Sequence, residues 1–131
     1  MNSQPKGATP EAIETATIAA QAIADKKGED IVILDLSELL VVTDVFLIAS
    51  GTSTRHVKSL IDDVEAALRE DGRRPIRREG ADFGEWVLLD YGDVVFHVFD
   101  RETRAYYELE RLWADAPRIE FAAMSPASES E

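Results

Sequence analysis

The 131-residue chain contains no cysteine, which excludes disulfides and thiolate metal sites. No apolar run reaches the roughly 18 residues that a membrane helix needs. The N-terminus carries one lysine and lacks the apolar stretch of a secretory leader. We therefore expect a cytoplasmic protein that makes no membrane contact.

Positive charge is also scarce, because 14 basic residues stand against 26 acidic ones and give a formal net charge of -12. An acidic surface repels phosphate backbones, so direct sequence-specific binding of nucleic acid is disfavoured. A basic protein partner fits this charge, although acidity also serves solubility alone. Both explanations remain open.

The chain has only two histidines, His56 and His97, which the sequence places on a helix start and on a strand. Their spacing does not indicate a zinc site. No serine has a histidine and an acid arranged for nucleophilic catalysis. The residues therefore predict no catalytic group, no metal and no cofactor.

Composition divides the chain into one domain and two tails. Hydrophobic residues make up 45% and charged residues 31%, which is typical of a globular protein. Residues 1–8 and 117–131 are rich in Ser, Pro, Ala and Glu and show little periodicity. We expect a single α/β domain over 9–116, a mobile N-terminal tail and a mobile acidic C-terminal tail.

Hydrophobic periodicity predicts the element order α-β-β-α-β-β-β-α. The predicted elements are a helix over 9–27, strands over 31–36 and 45–50, a helix from 54 that stops at Asp71-Gly72, a short edge strand within 73–78, hairpin strands within 84–99, and a helix over 102–113. About eight residues join the first two strands, too few for a parallel crossover, so this pair should be antiparallel. The fold class is α/β, with a mixed β-sheet of about five strands and helices packed on it.

The hairpin within 84–99 has two different faces. With Leu89 and Val94 closing the turn, Leu88 pairs with Val95, Val87 with Phe96 and Trp86 with His97. Side chains alternate across a strand. One face is then apolar, and it carries Val87, Leu89, Val94, Phe96 and Val98. The other face is mixed, and it carries Trp86, Leu88, Asp90, Asp93, Val95 and His97.

The mixed face has the composition of an interface, with an aromatic anchor and a polar rim. Cover by a helix or by a second copy of the chain would explain it equally well.

On the last helix, an apolar stripe is predicted to face the sheet; it consists of Ala105, Tyr106, Leu109, Leu112 and Trp113.

The Ser50-Gly51 turn between a strand and a helix is similar to the start of a nucleotidyltransferase. That chemistry needs two alternating carboxylates on the next strand to hold metal ions, and these are absent. Asp62 and Asp63 are adjacent on a predicted helix and point about 100° apart. The same turn also fits a phosphate loop or a plain helix cap. A nucleotidyltransferase-like enzyme acting at this turn is therefore kept only as an alternative to a function without catalysis.

Four ordered motifs, at 41–57, 79–80, 86–98 and 107–113, resemble the Iojap family, the ribosomal silencing factors. The resemblance covers about residues 9–113. It implies a domain similar in fold to a minimal nucleotidyltransferase but without its catalytic residues. The one-lysine N-terminus fits a bacterial cytosolic member of the family.

The resemblance also implies a function without catalysis. Family members bind the large ribosomal subunit through large-subunit ribosomal protein fourteen, on the face that meets the small subunit. They block subunit joining sterically and repress translation under nutrient limitation, and they form homodimers off the ribosome. A nucleotidyltransferase-like enzyme and an adaptor for a non-ribosomal protein are the alternatives.

The family pattern is intact at Trp86, Asp90, Gly92, Asp93 and His97, whereas the family varies at Tyr91. Together with the mixed hairpin face, it predicts one set of partner-binding residues. The set is Trp86, Leu88, Asp90, Tyr91, Asp93, Val95 and His97.

Overall fold

A six-stranded mixed sheet runs through the computed structural model, which describes residues 7–40 and 42–124. The elements are α1 Pro10–Asp25, β1 Glu29–Asp35, β2 Val45–Gly51, α2 Thr54–Glu70, β3 Arg77–Glu79, β4 Trp86–Asp90, β5 Val94–Asp100, α3 Arg101–Tyr107, a 3-10 helix Leu109–Trp113 and β6 Arg118–Ile119. The predicted α/β class is confirmed, and the predicted element order holds through α3.

The strands lie side by side in the order β3-β4-β5-β2-β1-β6. Only β2 and β5 run parallel, in the middle of the sheet; every other pair is antiparallel. The predicted antiparallel pairing of β1 with β2 is confirmed. The arginine-rich segment supplies β3 at one edge, as predicted.

The sixth strand comes from the segment that composition assigned to the C-terminal tail. Ile119 pairs with Ile33 and Arg118 with Leu34 on the outer side of β1. A two-residue strand is too short to show periodicity, so the sheet has one strand more than the roughly five predicted. At the other end, the backbone N–H of Ala8 donates to the Asp35 carboxylate at 3.0 Å. The remainder of both predicted tails, 1–6 and 125–131, lies outside the described residues.

Helices α1 and α2 cover one face of the sheet. Thr9 caps α1 by accepting from the Ala12 N–H at 3.1 Å, and Ser53 caps α2 by accepting from the His56 N–H at 3.1 Å. The alanines of α1 let the helix lie close to the strands. The main core under these helices contains Ala16, Ile23, Leu47, Leu60, Ile61, Leu68, Val87, Leu89, Phe96 and Val98.

A smaller core covers part of the opposite face, where the last helix differs from its prediction. Glu108 has a left-handed φ of 48°, which ends α3 at Tyr107 and starts a separate 3-10 helix. The change of direction brings Leu109 and Trp113 against Leu34, Leu36, Ile48 and Phe99. The predicted continuous helix over 102–113 was therefore wrong. Tyr106 is 81% exposed and Leu112 73% exposed, so neither faces the sheet.

The β4–β5 hairpin forms, but in a register shifted by two residues from the predicted one. Trp86 pairs with Phe99 and Leu88 with His97, instead of with His97 and Val95. The turn is tighter than predicted, because the Tyr91 N–H donates to the Val94 carbonyl at 2.9 Å and only Gly92 and Asp93 lie between the paired residues. A shift of two residues preserves the alternation of side chains. The division of the strand residues between the two faces is therefore as predicted.

Candidate functional site

The candidate site is the side of the hairpin that faces away from α1 and α2. Five predicted partner-binding residues lie on it, and we call them together the hairpin face. They are Trp86, Leu88 and Asp90 on β4, and Val95 and His97 on β5. The parallel pairing continues the same face onto β2, where Phe46 lies beside Val95 and Ile48 beside His97.

His97 is buried, with 5% of its surface exposed. Its Nδ1 accepts a hydrogen bond from the Trp86 indole N–H at 3.1 Å, so the ring proton of the neutral form lies on Nε2. The ring meets Phe46 edge-on, with 4.6 Å between centroids. Burial lowers the pKa of His97 from 6.5 to about 4. His97 therefore orients Trp86 and offers almost no surface to a partner.

Trp86 is half-buried and connects three elements of the face. Its ring stacks on Phe99 at a centroid distance of 4.8 Å and meets Tyr107 of α3 at 5.0 Å. Its indole N–H is bound to His97. The residue therefore stabilises the fold as well as contributing to the surface.

The exposed apolar surface beside the hairpin face comes largely from residues outside the predicted set. Val95 is 8% exposed, whereas Leu88 and Asp90 are half-buried. Four large apolar side chains reach solvent within two residues of Leu40, Leu109 or Trp113, which pack against the smaller core on this side of the sheet, and we call these four the apolar rim. The rim consists of Leu39 at 49%, Val42 at 80%, Tyr107 at 53% and Leu112 at 73% exposure. For Leu112 the misleading signal was helical spacing, which placed it against the sheet.

Two predicted residues, Tyr91 and Asp93, do not join the hairpin face. Tyr91 packs against the main core under the helices, and its ring meets Phe96 edge-on at 5.4 Å. Burial, with a smaller contribution from the Glu65 carboxylate, raises the pKa of Tyr91 to about 12. Asp93 and Tyr91 line a separate cavity of about 340 Å³ together with Arg73 and Arg74. Tyr91 lies on the helix side because it continues the alternation of Val87 and Leu89, and Asp93 lies in the two-residue turn beside it.

The Ser50-Gly51 turn is occupied by a side chain of the protein itself. Buried Arg104 donates from Nη1 to Ser50 Oγ at 2.9 Å and to the Asp30 carbonyl at 2.7 Å, and its Nε pairs with Glu110 at 3.3 Å. The 460 Å³ cavity here is lined by three arginines and four acids: Arg101, Arg104, Arg111, Glu29, Asp30, Glu108 and Glu110. The Ser50 hydroxyl at this turn is therefore already bound by a cation of the protein itself.

The other candidates for chemistry have structural partners. His56 accepts from the Thr52 N–H at its Nδ1, 2.9 Å, and donates from Nε2 to the Lys26 carbonyl, 2.8 Å. Asp63 pairs with Lys26 at 3.3 Å, and Asp62 is exposed on α2. Within 7–40 and 42–124, no group of three or more His, Asp or Glu side chains is arranged to hold a metal ion.

Among residues 7–40 and 42–124, no helix is both long enough and apolar enough to cross a bilayer.

Replacing Arg104 by methionine is expected to lower the free energy of unfolding by about 2 kcal/mol. The change leaves Glu110 without its cation, and the Asp30 carbonyl and Ser50 hydroxyl without their donor. The loss is smaller than for a fully buried pair because a quarter of the Glu110 side chain remains exposed. Urea unfolding measures it. The control is Arg111→Met, which breaks an exposed pair with Glu108 and should leave the urea midpoint nearly unchanged.

The family model described as "Ribosomal silencing factor during starvation" matches residues 9–131. The ribosomal silencing factor of Bacillus subtilis is 45% identical over 100 residues, covering 76% of this chain and 85% of the relative. A crystal structure of a Chromobacterium violaceum protein superposes with a TM-score of 0.77 at 39% identity, covering 88% of this chain and 96% of that one. A mouse protein named mitochondrial assembly of ribosomal large subunit protein 1 is 33% identical over 94 residues, covering 70% of this chain and 41% of the relative.

Proposed function

The chain belongs to the ribosomal silencing factor family, also called Iojap, and from this premise we propose that it binds the large ribosomal subunit and blocks association with the small subunit. In this proposal translation is repressed under nutrient limitation, because an occupied large subunit cannot form a complete ribosome. The observation that supports the docking site best is the hairpin face with its apolar rim. Apolar side chains there remain exposed around a rigid aromatic centre.

The proposed partner on the subunit is large-subunit ribosomal protein fourteen. The family resemblance names it, and the mouse relative is named for assembly of the large ribosomal subunit. The net charge of -12 suits a basic ribosomal protein surrounded by RNA, since complementary charge speeds the correct encounter and discourages contact with RNA elsewhere.

The proposed contact has an apolar centre and a charged border, where Arg77, Glu79 and Asp90 together carry one negative charge. Leu88 lies half-buried on β4, and Tyr107 and Leu112 extend the apolar surface over α3 and the 3-10 helix. Asp90 stands at the edge, where it pairs with Arg77 at 3.4 Å. Such a patch fits a partner surface that combines an apolar pocket with positive charge.

Steric blocking needs affinity and bulk but no catalysis, and we propose that the protein is not an enzyme. Arg104 binds the Ser50 hydroxyl, and the paired carboxylates of a transferase are absent from the sequence around it. The protein would act in the cytoplasm, where the ribosomal subunits are. Off the ribosome, a homodimer through the same apolar patch would cover that surface.

The test is sedimentation of the purified protein with each purified ribosomal subunit separately. The protein should move with the large subunit and remain behind when the small subunit is used alone. Sedimentation with the small subunit only, or with neither, would contradict the proposal.

A further inference from the structure

A cavity of about 560 Å³ lies on the helix side of the molecule, on the opposite side of the sheet from the hairpin face. It lies between α1 and the extended residues 120–124, which we call the strap. Its floor includes Ile18, Ala22 and Phe121, which also pack against the main core. Its volume falls within the range of known binding sites, roughly 300–1,000 Å³.

The wall of the cavity is held in place by a reciprocal pair of hydrogen bonds. Gln21 Nε2 donates to the Met124 carbonyl at 3.2 Å, and the Met124 N–H donates to Gln21 Oε1 at 2.9 Å. These bonds join residues 103 positions apart and fix the strap across α1. The cavity is therefore formed before anything binds, so little ordering is needed on binding.

The ionisable residues that line the cavity are all acidic, namely Glu14, Asp25 and Glu120. Glu14 shares Arg73 with Asp71, and Asp25 accepts a hydrogen bond from the neutral Gln21 amide. The neighbouring cation Lys26 is already paired with Asp63. Arg118 lies beside Glu120 in an adjoining cavity but does not line this one. The lining of the apolar floor therefore carries three carboxylates and no cation.

We propose that this cavity is a second docking surface, which takes one apolar side chain from a positively charged segment of a partner protein. The acidic border attracts lysine or arginine on either side of the inserted side chain. A phosphate-bearing ligand would be repelled. A second copy of this chain would also meet the site with like charge, since the net charge is -12. The inference does not depend on ribosome binding.

A short peptide with one leucine flanked by lysines is the probe, and its counterpart with flanking glutamates is the control peptide. The full-length protein, labelled with ¹⁵N, is titrated with each peptide at low salt. The lysine peptide should shift the backbone amide signals of Ile18, Ala22 and Phe121 and leave those of Leu88 and His97 unchanged. The glutamate peptide should shift none of them.

Neutralising two acids of the border should weaken binding of the lysine peptide about tenfold, the effect of losing two exposed ion pairs. The variant is Asp25→Asn with Glu120→Gln. The matched control removes two carboxylates elsewhere, Glu38→Gln with Asp115→Asn, both exposed and outside the cavity. This control should bind the peptide as the natural protein does.

Three results would overturn the proposal. They are equal binding of both peptides, equal weakening in both double variants, and amide shifts that miss the cavity. If the protein dimerised without any peptide and the amide signals of the cavity residues shifted with protein concentration, the site would instead belong to a second copy of the chain. Because the probe contains no ribosomal component, failure here is distinguishable from failure to sediment with the large subunit.

Discussion

Replacing Leu88 by aspartate is expected to weaken binding to the large ribosomal subunit at least about 100-fold, while the domain remains folded. Leu88 lies half-buried on β4, where it pairs with Glu79 of the edge strand β3 and with His97 of β5. In the free protein the new carboxylate keeps its contact with water. In the complex it would be buried against an apolar partner surface, which costs several kcal/mol. Equilibrium binding of labelled protein to purified large subunits measures the loss.

Leu88 is a sharper test of the site than Trp86. Truncating Trp86 would remove its stacking on Phe99 and its hydrogen bond to His97, so lost binding could not be separated from lost stability. The matched control is Phe83→Asp. Phe83 is 80% exposed in the loop whose Gly84 lies against the start of α2, on the helix side. Equal loss of binding in both variants, or unchanged binding of Leu88→Asp, would refute the site.

Acidification is expected to remove about 3 kcal/mol of stability through His97 alone. The pKa of His97 is lowered by burial from 6.5 to about 4 in the folded state. Between these values the unfolded chain binds the extra proton and the folded protein does not. The contribution is therefore fully present above pH 6.5 and is lost as the pH falls toward 4. Each pKa unit corresponds to about 1.4 kcal/mol.

The comparison that isolates this effect uses His97→Asn, whose side-chain oxygen can still accept from the Trp86 indole but does not titrate. Carboxylates titrate in both proteins, so their contribution cancels in the difference. Urea unfolding from pH 6.5 to pH 4 should show the natural protein losing about 3 kcal/mol more than the variant. If the two proteins lost the same stability over this pH range, folding would not lower the pKa of His97.

The sequence predicted most of the helices and strands because their signals are local. Capping residues such as Thr9 and Ser53 sit at the starts of α1 and α2, and the apolar runs of β1 and β2 are continuous. Which strand residues of the hairpin share a face was also predictable, since this depends only on the alternation of side chains along a strand. The register was not, because the width of the turn depends on the Tyr91–Val94 hydrogen bond.

The parts of the site that sequence could not predict depend on tertiary contacts. The left-handed Glu108 is a non-glycine residue whose conformation carries no sequence signal, yet it decides that Leu112 is exposed. Burial of His97 follows from Phe46 and Trp86 packing around it, whereas the strand pattern alone predicted a surface or half-buried histidine. The strand residues predicted to share one face do share it, but His97 and Val95 on that face are buried.

The central claim is tested most directly by sedimentation of purified large and small ribosomal subunits mixed with and without the protein. We expect addition of the protein before mixing to shift the profile from joined ribosomes to free subunits, in proportion to occupancy of the large subunit. The Leu88→Asp variant should leave the subunits joined at the same concentration. Complete ribosomes forming while the protein stays bound to the large subunit would contradict the account.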